Sequence, residues 1–485
     1  MGAREPVLDL LRETVDRAAG HCAYAEARHV HALREDLAIH DDLVDAVDAD
    51  ESAGLGIRVL VGGAWGFAAT RDVSSAGADA ALKRALAVAA AQPAAGARPL
   101  APVMPSVGHW EGPCAIDPFA VGLEARLSHL FAAVAAMRGD ARIIRAEASA
   151  TMVRTRKALV TSDGTAVTHT ATECGAGLEA TAAAGGEIQT RTYPSSHGGN
   201  VAAAGWEHVL GLDLLAHAPR VAEEAVELLT APELPGGRRT LILHGEQLAL
   251  QLHESIGHAL ELDRMLLGEA SYAGTSWVAP SDLDASLRYG SERLNVTADA
   301  TLPGGLGTFG WDDEGVPAAR TMLVENGILR AALSDRQSAA AAGLPRSGGC
   351  ARAEGFARQP IVRMTNVSVE PGDAGSLADL IADTDDGLYL ESNRSWSIDD
   401  RRWQFQFATE VAREIRGGEL GRLYRNPSYA GITPQFWGSL DAVCGRQEWG
   451  LWGLTNCGKG EPGQIMQVSH GTAPARFRDV QVGVA

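Results

Sequence analysis

A chain of 485 residues, 46% apolar and 21% charged, is long and apolar enough for more than one packed unit, taking about 150 residues per unit. Its formal net charge of −19 argues against nucleic acid as a main partner, because phosphate binding needs a basic surface. The six cysteines form no C-x-x-C pair, no apolar run reaches the length of a membrane span, and Arg4, Glu5, Asp9 and Arg12 interrupt any apolar leader, so a cytoplasmic protein with no disulfide framework and no membrane partner is expected.

Residues 6–19 read as an amphipathic helix with Leu8, Leu11 and Val15 on one side. Residues 56–61 and 65–68 read as strands joined by Gly62-Gly63. Helices are expected over 79–91 and 122–137, separated by a Pro-rich loop over 93–118. Residues 142–184 alternate like a strand meander that turns at Ser162-Asp163-Gly164, and 219–230 form another helix. The stretch 231–237, with Pro232, Pro235, Gly236 and Gly237, is the best linker candidate. Beyond it, 239–244 read as a short buried strand and 245–262 as a helix packed on a sheet. The remainder is rich in strands and turns, with hairpin signals at Asn326-Gly327 and Gly417-Gly418. The expectation is an α+β protein of two domains: 1–235 with helices and antiparallel strands, and 236–485, strand-rich and carrying the metal-binding helix.

That helix contains His253-Glu254-Ser255-Ile256-Gly257-His258. Two imidazoles flanking a carboxylate are what a hydrolytic zinc site needs: neutral nitrogen ligands and a general base beside the water to be activated. The second His follows the first by five positions, where H-E-x-x-H has four. In a regular α-helix positions i and i+5 point roughly 140° apart. The rings can share a metal only if the helix widens into a π-type turn, which Gly257 would ease by having no side chain. The competing reading is a helix carrying His and Glu for packing alone. Buried without a ligand, however, these polar groups would still need partners.

A catalytic zinc takes three protein ligands and keeps one position open. Glu261, Asp263, Cys350, Cys444, Cys457 and His470 are the candidates for the third. Glu261 and Asp263 end the motif helix and suit hydrogen-bonding support better than ligation. Cys457 lies in the glycine-flanked stretch 455–460, expected to be a loop, where Lys459 would favour its thiolate; as a small apolar residue it would serve the core equally well. Trp437, Trp449 and Trp452 suit packing better than stacking on a substrate, and His470 and Asn456, the candidates for an oxyanion donor, suit structural roles better.

Taken together, these motifs resemble the TldD/PmbA family of bacterial and archaeal metallopeptidases, on its TldD side, over most of the chain. The stretch from His253 to Asp263 is similar to that family's H-E-x-x-G-H-x-x-E-x-D. Asp312-Asp313-Glu314-Gly315, Val324-Glu325-Asn326-Gly327-Ile328-Leu329, Arg363-Met364-Thr365-Asn366 and Cys457-Gly458-Lys459 also match, and Gly54-Leu55-Gly56-Ile57-Arg58-Val59 with Gly66-Phe67-Ala68 match more loosely. The resemblance implies Zn2+ held by His253, His258 and Cys457, with Glu254 as the catalytic carboxylate activating a zinc-bound water. PmbA/TldE-like members lack the zinc motif, so this chain resembles the catalytic type. The implied activity is hydrolysis of small or unfolded peptides inside an enclosed lumen. The implied assembly is a dimer of clam-like subunits, with a PmbA/TldE-like chain or with itself. Residues 195–200 depart from the TldD pattern in being poorer in glycine. Two other readings compete. A dipeptidyl-peptidase-like H-E-x-x-G-H enzyme would take its third ligand from an E-E-x-x-A-E-like helix, which this sequence lacks. A non-catalytic zinc-stabilised partner subunit would have no need of Glu254.

Overall fold

The computed structural model describes residues 6–93, 96, 98–196, 198–269, 274–284 and 286–483. Eight strands of the N-terminal half share one sheet: β1 (Tyr24–His40), β2 (Leu43–Val61), β3 (Ala64–Thr70), β4 (Val107–Glu111), β5 (Ile143–Thr161), β6 (Ala166–Ala184), β7 (Glu187–Tyr193) and β8 (Asn200–Ala202). The order is β3-β2-β1-β5-β6-β4, with β7 and β8 also paired to β6; only β4 runs parallel to its neighbour. The long strand β1 and the outer part of β2 escape the sequence pattern. Residues 43–53 of β2 pair only with β1 and carry Asp45, Asp48, Asp50 and Glu51 on an exposed edge, so hydrophobic alternation is absent there.

Period-two patterning gives the sheet two different faces. Ala25, Ala27, Leu37 and Ile39 of β1, the even positions of β5 from Ala146 to Met152, and those of β6 from Cys174 to Ala182 point to one face. Small alanines let α1 (Pro6–Ala18), α2 (Ser75–Ala90), α3 (Leu123–Met137) and α5 (Leu214–Leu228) all pack there, with α4 (Trp206–Gly211) adding Trp206. The intervening positions carry Glu26, Arg28, Lys157 and Glu173 to the opposite face, which the C-terminal half covers. The Asp312-Asp313-Glu314 stretch docks on it. Arg58 Nη2 donates to Glu26 Oε2 at 2.9 Å and to Glu314 Oε1 at 2.8 Å, and Lys157 Nζ donates to Asp313 Oδ1 at 3.1 Å. The Asp312 carboxylate accepts the backbone N–H groups of Glu314, Val316 and Ala351, fixing the loop itself. Gly54 and Gly56 leave room for Phe356, also of the C-terminal half: a Cβ at Gly56 would lie 2.4 Å from the Phe356 carbonyl oxygen.

In the C-terminal half, β9 (Gly237–Leu243) lies between the parallel strand Asp386–Ile398 and the antiparallel strand Ala475–Val482. Ser428–Ile432 and Gln404–Arg416 follow, and Gln404–Arg416 pairs back onto Asp386–Ile398, closing five strands into a ring. The hairpin signals are met: Asn326 and Gly327 have φ of 49° and 76°, Gly417 and Gly418 have 59° and 79°. Out of β9 runs α6 (Gly245–Leu252), and every residue from Gly245 to Leu262 is buried. Several of its interior polar groups are paired. Gln247 Nε2 donates to Tyr429 Oη at 2.9 Å, Tyr429 Oη to Gln251 Oε1 at 3.0 Å, and Trp437 Nε1 to Ser255 Oγ at 2.9 Å, which gives Trp437 a packing role. Among the described residues, no helix is long and apolar enough to cross a membrane.

Arg58→Met strands two buried carboxylates. It is expected to cost about 3–5 kcal/mol in chemical denaturation; a loss below about 1 kcal/mol would show that Asp312-Asp313-Glu314 docks without it.

Candidate metal centre

The motif helix is not one regular helix. His253–Gly257 is a π turn, closed by the His258 N–H donating to the His253 carbonyl, and His258–Leu260 follow as a 3₁₀ turn. The five-residue closure brings the two imidazoles to one side, with ring centroids 4.6 Å apart and planes at 82°. The Ser255 carbonyl inside the widened turn accepts from the Tyr289 hydroxyl at 2.5 Å. Gly257 is needed for space rather than for backbone freedom. Its φ of −54° is ordinary, but a Cβ there would sit 2.2 Å from Met364 Sδ.

Hydrogen bonding fixes which nitrogen each ring presents. His470 Nδ1 lies 2.7 Å from the Val367 carbonyl, which can only accept, so that nitrogen carries the proton. His470 Nε2 is then an acceptor for His253 Nδ1 at 2.8 Å, leaving the His253 Nε2 lone pair free. His258 Nδ1 donates to Glu261 Oε2 at 3.0 Å, leaving its Nε2 free in the same way. Glu261 also accepts from Arg264 Nε at 2.6 Å and faces Lys459 Nζ at 3.3 Å. Burial alone would raise the Glu261 carboxyl; Lys459, Arg264 and His258 together hold it well below the usual carboxylate range. His470 and Glu261 therefore orient the two histidines from behind. His470 is fully engaged, which removes it as an oxyanion donor.

Cys457 sits in a strand, Gly450–Lys459, paired with Gln464–Thr472, and not in the loop its flanking glycines suggest. The register slips between Leu454 and Cys457, and such a bulge re-aims side chains. Cys457 Sγ lies 3.6 Å from His258 Nε2, and one donor atom from each of His253, His258 and Cys457 falls within 4.8 Å of the others. Among the described residues, no other trio of His, Cys, Asp or Glu gathers this closely. Burial alone would raise the Cys457 thiol, but His258 and Arg363 outweigh it and lower it. Lys459 is not the thiolate's partner: its ammonium donates to Asp263 at 2.9 Å and to the Val362 carbonyl at 2.7 Å. Cys350 and Cys444 lie elsewhere in the core, where burial pushes each thiol up to about 12. Burial also brings His253 down to about 4, so it stays neutral near pH 7. Two imidazoles and one thiol that holds its proton less tightly than usual, bordering a cavity of about 440 Å3, fit a divalent metal of zinc type with an open side.

Glu254 borders the same cavity. Its Oε1 accepts from Trp396 Nε1 at 2.9 Å and its Oε2 from Arg402 Nη1 at 2.7 Å. Burial would raise this carboxyl, but His253, His258, Arg402 and Trp396 together lower it. The sequence gives no sign of this clamp, whose members stand 142 and 148 positions away. A local clue exists only for the backbone. Arg402 has φ of 63°, its N–H closes a turn onto Asp399, and its carbonyl accepts from Thr433 Oγ1 at 2.7 Å, so the residue is firmly placed. Asn456 is exposed at the cavity mouth. Trp452 packs edge-on against His244 and Trp449 donates to the Val369 carbonyl at 2.9 Å. In the 195–200 segment, Asn200 bridges to the Cys457 strand, donating to the Leu451 carbonyl at 3.1 Å and accepting from the Gly453 N–H at 2.9 Å; His197 lies outside the described residues.

Residues 236–484 match the PmbA/TldA metallopeptidase C-terminal domain, 25–89 its domain 1 and 116–231 its central domain. A "Metalloprotease" of Methanothermobacter thermautotrophicus is 30% identical over 95% of both chains. A "Zinc metalloprotease TldD homolog" of Saccharolobus solfataricus is 29% identical over 51% of this chain and 52% of that one. TldE from Thermococcus kodakarensis superposes with a TM-score of 0.72 at 15% identity, covering 98% of this chain and 100% of that one, which shows a shared fold. The matched domains and the full-length relative make this a chain of a metallopeptidase family. It belongs to the PmbA/TldD family of metallopeptidases.

Two measurements of metal content check this geometry. His470→Ala should keep the fold and weaken metal binding by about 10–100-fold, the usual cost of losing a group that orients a ligand. Cys457→Ala should lose the metal, whereas Cys350→Ala and Cys444→Ala should retain it; equal retention in all three would exclude Cys457 as a ligand.

Proposed function

We propose that the protein is a zinc-dependent peptidase of TldD type, with His253, His258 and Cys457 as ligands and Glu254 as general base. The observation that carries the reading is the convergence of one donor atom each from His253, His258 and Cys457 beside a clamped carboxylate. A purely structural site needs no base and usually closes with a fourth protein ligand. When bound, zinc supplies a Lewis acid that polarises the scissile carbonyl and acidifies water. Glu254 does the proton work. Trp396 and Arg402 each occupy one of its oxygens, and every carboxylate oxygen has a second acceptor position. The carboxylate can thus take a proton from the attacking water and return it to the leaving nitrogen without changing its orientation. Leu250 and Leu454 line part of the cavity beside it.

The same reading divides the chain near residue 235 and makes small or unfolded peptides the substrate, cleaved in an enclosed lumen of a cytoplasmic dimer. The partner is a TldE-like chain or a second copy. The TldE likeness in fold and the relatives named TldD homologs support that pairing.

Glu254→Gln should retain zinc and the fold and slow peptide hydrolysis by at least about a hundredfold, the scale of a lost general acid–base group. Near-normal turnover by the zinc-loaded variant would contradict the assigned base.

A further inference from the structure

A second cavity, of about 250 Å3, lies between the N-terminal sheet and the C-terminal half. It borders the same strand as the metal pocket: Thr455 lines this cavity, while Leu454, Asn456 and Cys457 line the other. Its sheet wall comes from β1, β5 and β6, and the facing wall includes Phe309, Asp313 and Arg352.

Most of the charges around this cavity are already matched. Arg34 Nη2 donates to Asp36 at 2.8 Å, Lys157 pairs with Asp313 at 3.1 Å, and Glu354 accepts the Ile465 N–H at 2.7 Å. His169 stays neutral, since burial brings it down to about 3. Two groups are left over. The Glu173 carboxyl has no hydrogen-bond or ion-pair partner among the described residues, and its Oε2 is fully buried. Arg352, 9% exposed, donates to the carbonyls of Met364 at 2.9 Å and Leu306 at 3.1 Å, and no described carboxylate comes within 4.0 Å of it. The two are near enough for each to feel the other's charge without touching. Burial pushes the Glu173 carboxyl up to about 7 and the Arg352 guanidinium down to about 10. Glu173 is a buried acid without a hydrogen-bonding partner and Arg352 a buried guanidinium with no carboxylate in contact, and ionising or keeping such groups charged is costly unless a partner arrives.

A ligand carrying both an ammonium and a carboxylate would satisfy both at once. The volume lies below the roughly 300–1,000 Å3 of drug-sized sites and suits something smaller. We propose that this cavity binds a small zwitterion, an α-amino acid or a dipeptide, with its ammonium on Glu173 and its carboxylate on Arg352. Such molecules are the product class of a peptidase, but the binding itself does not require that reading.

Calorimetric titration of the full-length, zinc-loaded Glu254→Gln protein with leucine and glycyl-leucine tests this. N-acetylleucine and leucinamide, each lacking one charge, are the controls. At least one of the two zwitterions should bind, and both controls should bind at least about tenfold more weakly than leucine or its dipeptide. Adding Glu173→Gln, a nearly isosteric change, should lower the zwitterion's affinity about tenfold or more and remove its advantage over N-acetylleucine. Absence of binding by both zwitterions, equal binding of the blocked forms, or affinity indifferent to Glu173→Gln would each overturn the proposal. Binding that persists in Glu173→Gln but disappears on chelation would place the ligand at the metal instead. Failure of the peptidase reading would show as unaltered hydrolysis in Glu254→Gln, a separate result.

Discussion

Two imidazoles five residues apart cannot face one point from a regular α-helix, so the hydrogen-bond ladder has to widen between them. The turn over His253–Gly257 is where this happens, and much of the C-terminal half can be understood as support for it. The ring of strands encloses the helix so that every residue from Gly245 to Leu262 is buried. Tyr289 satisfies the carbonyl inside the widened turn, Met364 fills the space that Gly257 leaves, and Trp437 anchors Ser255. A π turn in water would revert to the α form; here, enclosure and named partners hold the distortion.

The same enclosure decides the chemistry. In a dry setting an imidazole keeps the tautomer its neighbours dictate, and His470 and Glu261 dictate that both rings present Nε2. A buried thiol would ordinarily be inert, as at Cys350 and Cys444, but His258 and Arg363 reverse that for Cys457. Glu254, clamped by Trp396 and Arg402, completes the set. The N-terminal sheet contributes no proposed ligand. Its role near the site is to dock through Arg58 and Lys157 and to hold, through Asn200, the strand on which Cys457 stands.

How much of this was legible in the sequence depended on whether a feature is local. The α+β class, the helices packed by period and the Gly-Gly and Asn-Gly turns follow from patterns a few residues long, and the structure has them. The need for a widened turn also followed, because five-residue spacing and helix geometry admit no other way for the rings to converge. Long-range features were hidden. The polar edge of β2 lacks alternation because one side of it meets solvent. Cys457 lies in a strand despite its glycines, because pairing with Gln464–Thr472 outweighs local turn preference. Lys459 was matched to the wrong partner, since nothing near it in sequence announces Asp263 or Glu261. Arg402 and Trp396 meet Glu254 only through the fold.

The central claim is that His253, His258 and Cys457 hold a single metal ion. X-ray absorption on the zinc-loaded protein tests it most directly. The account predicts one sulfur at about 2.3 Å and two imidazole nitrogens at about 2.0–2.1 Å, with the sulfur contribution gone in Cys457→Ser. A zinc shell of oxygen and nitrogen alone, or one whose sulfur survives that substitution, would contradict it.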